Sequence, residues 1–231
     1  PQTEIEKEKK VVLEEIKMND DDPQRKLFRE LFSRSYRNHP YGRPIIGFEE
    51  VIATMTRQEI VAYFGDHYYA GNMVVVIVGD FDDAKARSFL AGLPGKKGGG
   101  KKVEKSSILP AQEEGRPVIL KRQVKESYLA FSYPVPPMIH QDIPALDVVE
   151  TILGNGDSSR LQVELKNRKG LVTGISTYLF APKEEGLFVI FATFKGDVYE
   201  PIVTTVAGEL TRLAGEGPGV WEIEKARNII E

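Results

Sequence analysis

Hydrophobic and polar positions first repeat at helical spacing. Residues 6–16, Glu-Lys-Glu-Lys-Lys-Val-Val-Leu-Glu-Glu-Ile, are rich in good helix formers, and Asn19-Asp20-Asp21-Asp22-Pro23 ends the run. Stepping about 100° per residue from Ile5 places Val12 at about −20°, Ile16 at about +20°, Leu13 at about +80° and Val11 at about −120°. These four define an apolar arc. Glu8 and Glu15 fall inside it, at about −60° and −80°, and so does Lys9. Glu6, Lys7, Lys10, Glu14 and Lys17 fall outside, where a solvated face carries them. Asp22-Pro23 then opens a second helix over 24–36, with Leu27, Phe28, Leu31 and Phe32 as its stripe. A loop follows, fixed by Pro40 and Pro44 and turned by Gly42 and Gly47. Past a short helix over 48–55, Thr56 and Glu59 form a capping box for a helix over 56–67. Met73–Val78 reads as a buried strand, and Asp82 or Asp83 caps a helix over 84–93.

From residue 96 to 116 the pattern is lost in a polar stretch rich in Gly, Lys and Pro, which reads as a linker. Beyond it, period-two stretches over 118–136 predict strands, and 143–153 predicts a helix. A Ser-capped helix follows the Gly154-Asn155-Gly156 turn. Two aromatic and β-branched strands flank Lys183–Gly186 as a hairpin, and a long amphipathic helix follows Asp197. The order strand, Gly-Asp, helix over 74–93 recurs over 188–210. The expected fold class is therefore α+β: two related units with mixed or antiparallel sheets and helices on one side. The expected boundaries are 1–95, a linker 96–116, and 117–231 truncated at its carboxyl end. Pro1 and the uncapped run from Trp221 to Glu231 read as the ends of a piece cut from a longer chain.

Composition narrows the chemistry. A net charge of −3 gives no basis for binding nucleic acid, and no apolar run longer than Met73–Val78 approaches membrane-spanning length. With no cysteine, thiolate metal sites, disulfides and a Cys nucleophile are excluded, which fits any compartment. His39, His67 and His140 are far apart and build no metal site from neighbouring helix positions. No nucleotide-binding Gly motif and no Ser-His-Asp set stands out; Gly-Lys-rich 95–102 lacks the spacing of a phosphate loop.

What remains is the pair Glu8 and Glu15, two turns apart on one line of the first helix. Carboxylates among apolar side chains are paired, neutralised or bound to a cation. The plainer reading is a charged surface helix with Glu6–Lys10 and Lys10–Glu14 pairs, in which the Lys9 stem snorkels. The residues alone leave both readings open.

Three stretches in order, 6–16, 39–82 (His-Pro-Tyr-Gly-Arg-Pro through Val-Gly-Asp-Phe-Asp) and 154–171 (Gly-Asn-Gly-Asp-Ser-Ser-Arg-Leu onward), resemble the pitrilysin/insulinase family of zinc metallopeptidases, in the branch of the mitochondrial processing peptidase. The resemblance implies repeated metallopeptidase-like α/β sandwich domains enclosing a peptide chamber. It implies that Glu15 is a zinc ligand and that Glu8 supports the catalytic site from behind. The other ligands and the catalytic Glu belong to an H-x-x-E-H motif upstream, which is absent from residues 1–231. In that chemistry zinc acidifies water and polarises the peptide carbonyl. The expected function is thus a piece of a zinc metalloendopeptidase acting on peptides, with Zn²⁺ held by the full-length parent and not by this piece. The alternative is a non-catalytic homologue serving as a structural or partner subunit of a peptidase or respiratory complex. Family members that grip substrate carry an Arg and, seven residues on, a Tyr; the matching substrate-binding positions here are Lys166 and Thr173. Lys lacks the planar fork and Thr the phenol. The resemblance therefore implies a homodimer, or a heterodimer with a homologous subunit that carries the Arg–Tyr pair.

Overall fold

The computed structural model describes residues 2–92 and 117–231; the expected linker 96–116 lies outside them. Contacts divide the described residues into two units. One comprises 2–16 and 46–92, the other 17–45 and 117–231. The stretch 17–45 therefore groups with the later residues rather than with the first 95.

The first unit is helical. Helix α1 (Gln2–Asp21) begins in it, followed by α3 (Glu49–Thr54), α4 (Arg57–His67) and α5 (Asp83–Ala91). The caps are those that the residue types dictate. The Thr56 hydroxyl accepts from the Glu59 N–H while the Glu59 carboxylate accepts from the Thr56 N–H, and Asp82 accepts from the Lys85 N–H. The reciprocal bonds hold the Glu59 carboxyl below its ordinary value, the Thr56 backbone N–H contributing most. Met73–Val78 departs from expectation: it joins no ladder and its six apolar side chains are all exposed. Burial of a strand needs a neighbouring strand and a covering layer, and the described residues of this unit supply neither.

In the second unit an antiparallel sheet of order β1-β3-β2 is built from β1 (Ser127–Val135), β2 (Gly174–Phe180) and β3 (Gly186–Phe194). The hairpin brings Phe180 opposite Leu187, and β1 runs along the other edge of β3 from Ser127 opposite Phe194. Period two then assigns the faces. Phe188, Ile190, Ala192 and Phe194 pack with Leu153 of α6 (Ile143–Gly154) and with Ile202 and Val206 of α7 (Tyr199–Glu216). On the opposite face, Leu187 and Val189 pack against Phe28, Leu31 and Phe32 of α2 (Pro23–Ser35). Phe28 stacks on Phe191 at 5.3 Å, and Phe32 meets Phe180 edge-on at 5.2 Å. Helices therefore cover both faces rather than one. This is why β3 is almost wholly buried and reads as a continuous apolar run.

Two further departures lie in this unit. Residues 117–124, expected as strand, join no ladder. The helix behind Ser158-Ser159 is not Ser-capped; over Gln162–Arg168 it takes π winding, with Lys169 N–H donating to the Glu164 carbonyl. Leu161 and Leu165 are fully buried there, so core packing outweighs α-helical register. Finally, α8 (Val220–Ile230) is clamped by Arg160, whose guanidinium grips Glu222 through two bonds of 2.7 Å and donates to the Gly217 carbonyl at 3.1 Å. Among the described residues no helix is long and apolar enough to cross a membrane.

Candidate functional site

Helix α1 carries the two candidate carboxylates. Its covered line is Ile5, Lys9, Val12, Leu13 and Ile16, and Ile16 is the buried member. The Lys9 stem lies along that line, and its ammonium donates to the Met55 carbonyl at 3.1 Å, which is the snorkelling expected of a lysine in an apolar arc. The arc is narrower than the wheel implied. Val11 is exposed, and Glu8 and Glu15 lie just beyond the covered edge, both exposed. Neither is buried among apolar side chains: the covered line runs through Ile5, Lys9, Val12, Leu13 and Ile16 and stops short of both.

Glu8 and Glu15 therefore share one side of α1, separated by about 10.5 Å along the axis. Neither takes part in a hydrogen bond or ion pair with another described residue, in contrast to Glu6, which pairs with Lys9, and Glu4, which pairs with Lys7. Among the described residues no three His, Cys, Asp or Glu side chains gather where a metal could bind. One carboxylate is a quarter of a tetrahedral zinc set, so these residues by themselves do not fit the ion.

Lys166 and Thr173 lie at the two ends of the π-helix-to-β2 connection. Lys166 is exposed in the last turn of the π-helix. Thr173 donates its N–H to the Thr193 carbonyl at 2.7 Å, and the two threonine hydroxyls lie 2.9 Å apart. Thr173 thus extends the β2–β3 ladder by one residue. Its hydroxyl is engaged across the strands.

The loop after α2 is fixed by buried polar groups. His39 is 5% exposed; its Nδ1 accepts the Tyr41 N–H at 3.2 Å, and its Nε2 lies 2.7 Å from the Glu184 carboxylate. An Nδ1 that accepts must be bare, so Nε2 carries the proton and donates to Glu184. Tyr36 donates to the Glu185 carbonyl at 2.9 Å, and burial pushes its phenol pKa well up. Gly42 passes so close that a Cβ there would lie 2.5 Å from the Tyr36 carbonyl oxygen. Sequence reasoning missed the partner of His39, Glu184, which lies 145 residues away. It missed the Arg160–Glu222 clamp, for which no local signal exists.

The model of the peptidase M16 inactive domain matches residues 54–230, well over half of the chain. The chain belongs to the M16 peptidase family. These are the pitrilysin/insulinase enzymes that its sequence resembles. A zinc protease of Rickettsia felis is 27% identical over 211 residues, covering 91% of this chain and 50% of that protein. The M16 inactive-domain structure from Pseudomonas fluorescens superposes with a TM-score of 0.89 at 22% identity, covering 100% of this chain and 56% of that one. A chain of complex III2 from Candida albicans superposes with a TM-score of 0.83 at 17% identity, covering 97% of this chain and 55% of that one. The chain spans about half the length of the relatives it matches. The M16 assignment establishes the α+β fold and a peptidase family whose curated relatives are named zinc proteases.

Proposed function

We propose that this chain is part of a zinc-dependent metalloendopeptidase that hydrolyses peptides or unfolded segments, with Glu15 contributing one carboxylate ligand and Glu8 supporting the site. The observation that carries the reading is the α1 geometry. Two carboxylates stand on one exposed side of a helix, two turns apart, without an ion-pair partner among the described residues, while Glu4 and Glu6 are paired. The family supplies the zinc chemistry when the remaining ligands are present; what this chain contributes is the fixed position of its carboxylates on α1. Lys166 and Thr173 stand where substrate-gripping members carry Arg and Tyr, so we propose that a homologous partner subunit supplies that pair. The parent is then the zinc subunit of a two-chain peptidase.

The test is made on the full-length parent. Glu15→Gln is expected to lower zinc content and peptide hydrolysis by more than about 100-fold, and Glu8→Gln by about 10-fold, as changes behind a ligand do. Hydrolysis should rise when the partner is added, and Lys166→Arg with Thr173→Tyr should change little in the complex. Wild-type zinc content in Glu15→Gln, or full activity of the parent as a homodimer, overturns the respective part of the proposal. A second reading, a non-catalytic partner or scaffold subunit, draws on the match to an inactive-domain model and on the likeness to a complex III2 chain. An H-x-x-E-H motif upstream in the parent reading frame decides for the enzyme, and its absence for the scaffold.

A further inference from the structure

We propose that Asn155–Gly156 is a site of spontaneous modification, at which the Asn155 side-chain amide is lost and aspartate or isoaspartate takes its place. Asparagine is a labile residue. Its conversion depends on the backbone nitrogen of the next residue, which must reach the side-chain carbonyl carbon. The chain has six asparagines, and Asn155 is the one followed by glycine. In the fold the six nitrogens are not equivalent. Asp20, Arg168 and Ile229 follow Asn19, Asn167 and Asn228 inside α1, the π-helix and α8, where each N–H is bonded back along the helix. The His39 N–H donates to the Tyr36 carbonyl at 3.1 Å, and the Met73 N–H to the Ala70 carbonyl at 3.3 Å. The Gly156 N–H donates to no described residue. Asn155 itself stands just past α6 in extended backbone, and residues 155–158 are all exposed. At Gly156, with φ at +86°, no Cβ screens the nitrogen, and the space around it is open.

The reaction needs only water. The Gly156 nitrogen gives up its proton and bonds to Asn155 Cγ, the Cγ–Nδ2 bond breaks, and ammonia leaves with the proton. Water then opens the cyclic imide. Cleavage of the new bond gives aspartate; cleavage of the original peptide bond gives isoaspartate, with one more methylene in the main chain. Either product sets a carboxylate at the negative end of α6, where the helix dipole disfavours it. Isoaspartate also lengthens the chain between two fixed points. One is Gly154, where a Cβ would lie 2.5 Å from the Thr177 hydroxyl. The other is the turn closed by the Ser159 N–H on the Gly156 carbonyl at 3.1 Å, which presents Arg160 to Glu222. The modification is thus placed to loosen α8, whether the protein is a peptidase or a scaffold.

Peptide mapping of the full-length protein tests this, with native and denatured samples aged side by side at mildly alkaline pH. Folding should slow conversion at Asn155 by less than about 3-fold, and at each of the other five by at least about 10-fold, the factor for opening a hydrogen bond. Greater slowing at Asn155, or a native protein in which another asparagine converts first, overturns the proposal. In the isolated isoaspartate form the amides of α8 should exchange with solvent at least about 10-fold faster than in the unmodified protein. Equal exchange in the two forms overturns the effect on α8.

Discussion

Replacing Glu222 with Gln isolates the charge that holds α8 in place. Glu222 accepts two bonds from Arg160 and one from the Gly219 N–H, each at 2.7 Å, and the two side chains are only 12% and 9% exposed. Removing one member of a buried pair costs about 3–5 kcal/mol, because the other charge stays behind without compensation. Gln keeps one acceptor oxygen and Arg160 keeps the Gly217 carbonyl, which places the expected loss at the lower end, about 3 kcal/mol. At a urea slope of about 2 kcal/mol per molar, that moves the midpoint of this unit down by about 1.5 M. Trp221, the only tryptophan, sits beside Glu222 in α8, so its emission follows the release of this helix directly. The pH dependence supplies an independent arm. Arg160 hydrogen bonding holds the Glu222 carboxyl below the usual carboxylate range. Its contribution is therefore complete above the unfolded value of about 4.3 and is lost as pH falls through the depressed folded value. Glu222→Gln should lack that acid-limb loss. Arg160→Met with Glu222→Leu should recover much of the stability, since an apolar pair of similar volume strands no charge. A single-mutant loss under about 1 kcal/mol, or an acid limb identical in wild type and Glu222→Gln, refutes the clamp.

Two further outcomes test the packing of the same unit. Ile190→Ala, at a fully buried position in the middle of β3, should cost about 3 kcal/mol in urea unfolding, and a loss under about 1 kcal/mol would show the site relaxing to fill the gap. Gly154→Ala places a Cβ 2.5 Å from the Thr177 hydroxyl and 2.7 Å from the Thr177 backbone nitrogen, so α6 must shift and about 1–3 kcal/mol should be lost; thermal stability equal to wild type would contradict the close approach of α6 to β2.

Local chemistry was legible in the residues. The Asp22, Thr56 and Asp82 caps, the hairpin around Lys183–Gly186 and the helices α2, α4 and α6 each depend on groups within four residues of one another, and each forms as the pattern reads. The candidate carboxylates were legible only in part. Seven-residue spacing puts Glu8 and Glu15 on one side of α1 by helix geometry alone. Whether that side is covered depends on what packs against it, and the covered line proved to stop short of them. The same limit explains the Met73–Val78 strand, whose residue types demand burial that nothing in the described unit provides.

By itself the sequence determined the identity of α2, α4, α6 and the β2–β3 hairpin, the Thr56–Glu59 capping box, the exclusion of thiolate chemistry and the alignment of two carboxylates on one helix. Each of these is settled by backbone propensity, side-chain inventory or a period of 3.6. Only the tertiary structure decided which face of β3 meets α2, that Leu161 and Leu165 impose π winding, and that His39 finds Glu184 and Arg160 finds Glu222. The contacts of β3 with α2, of His39 with Glu184 and of Arg160 with Glu222 join residues from 62 to 163 positions apart, where no local spacing constrains them. They form because a buried donor or charge must meet a partner wherever the chain brings one within reach.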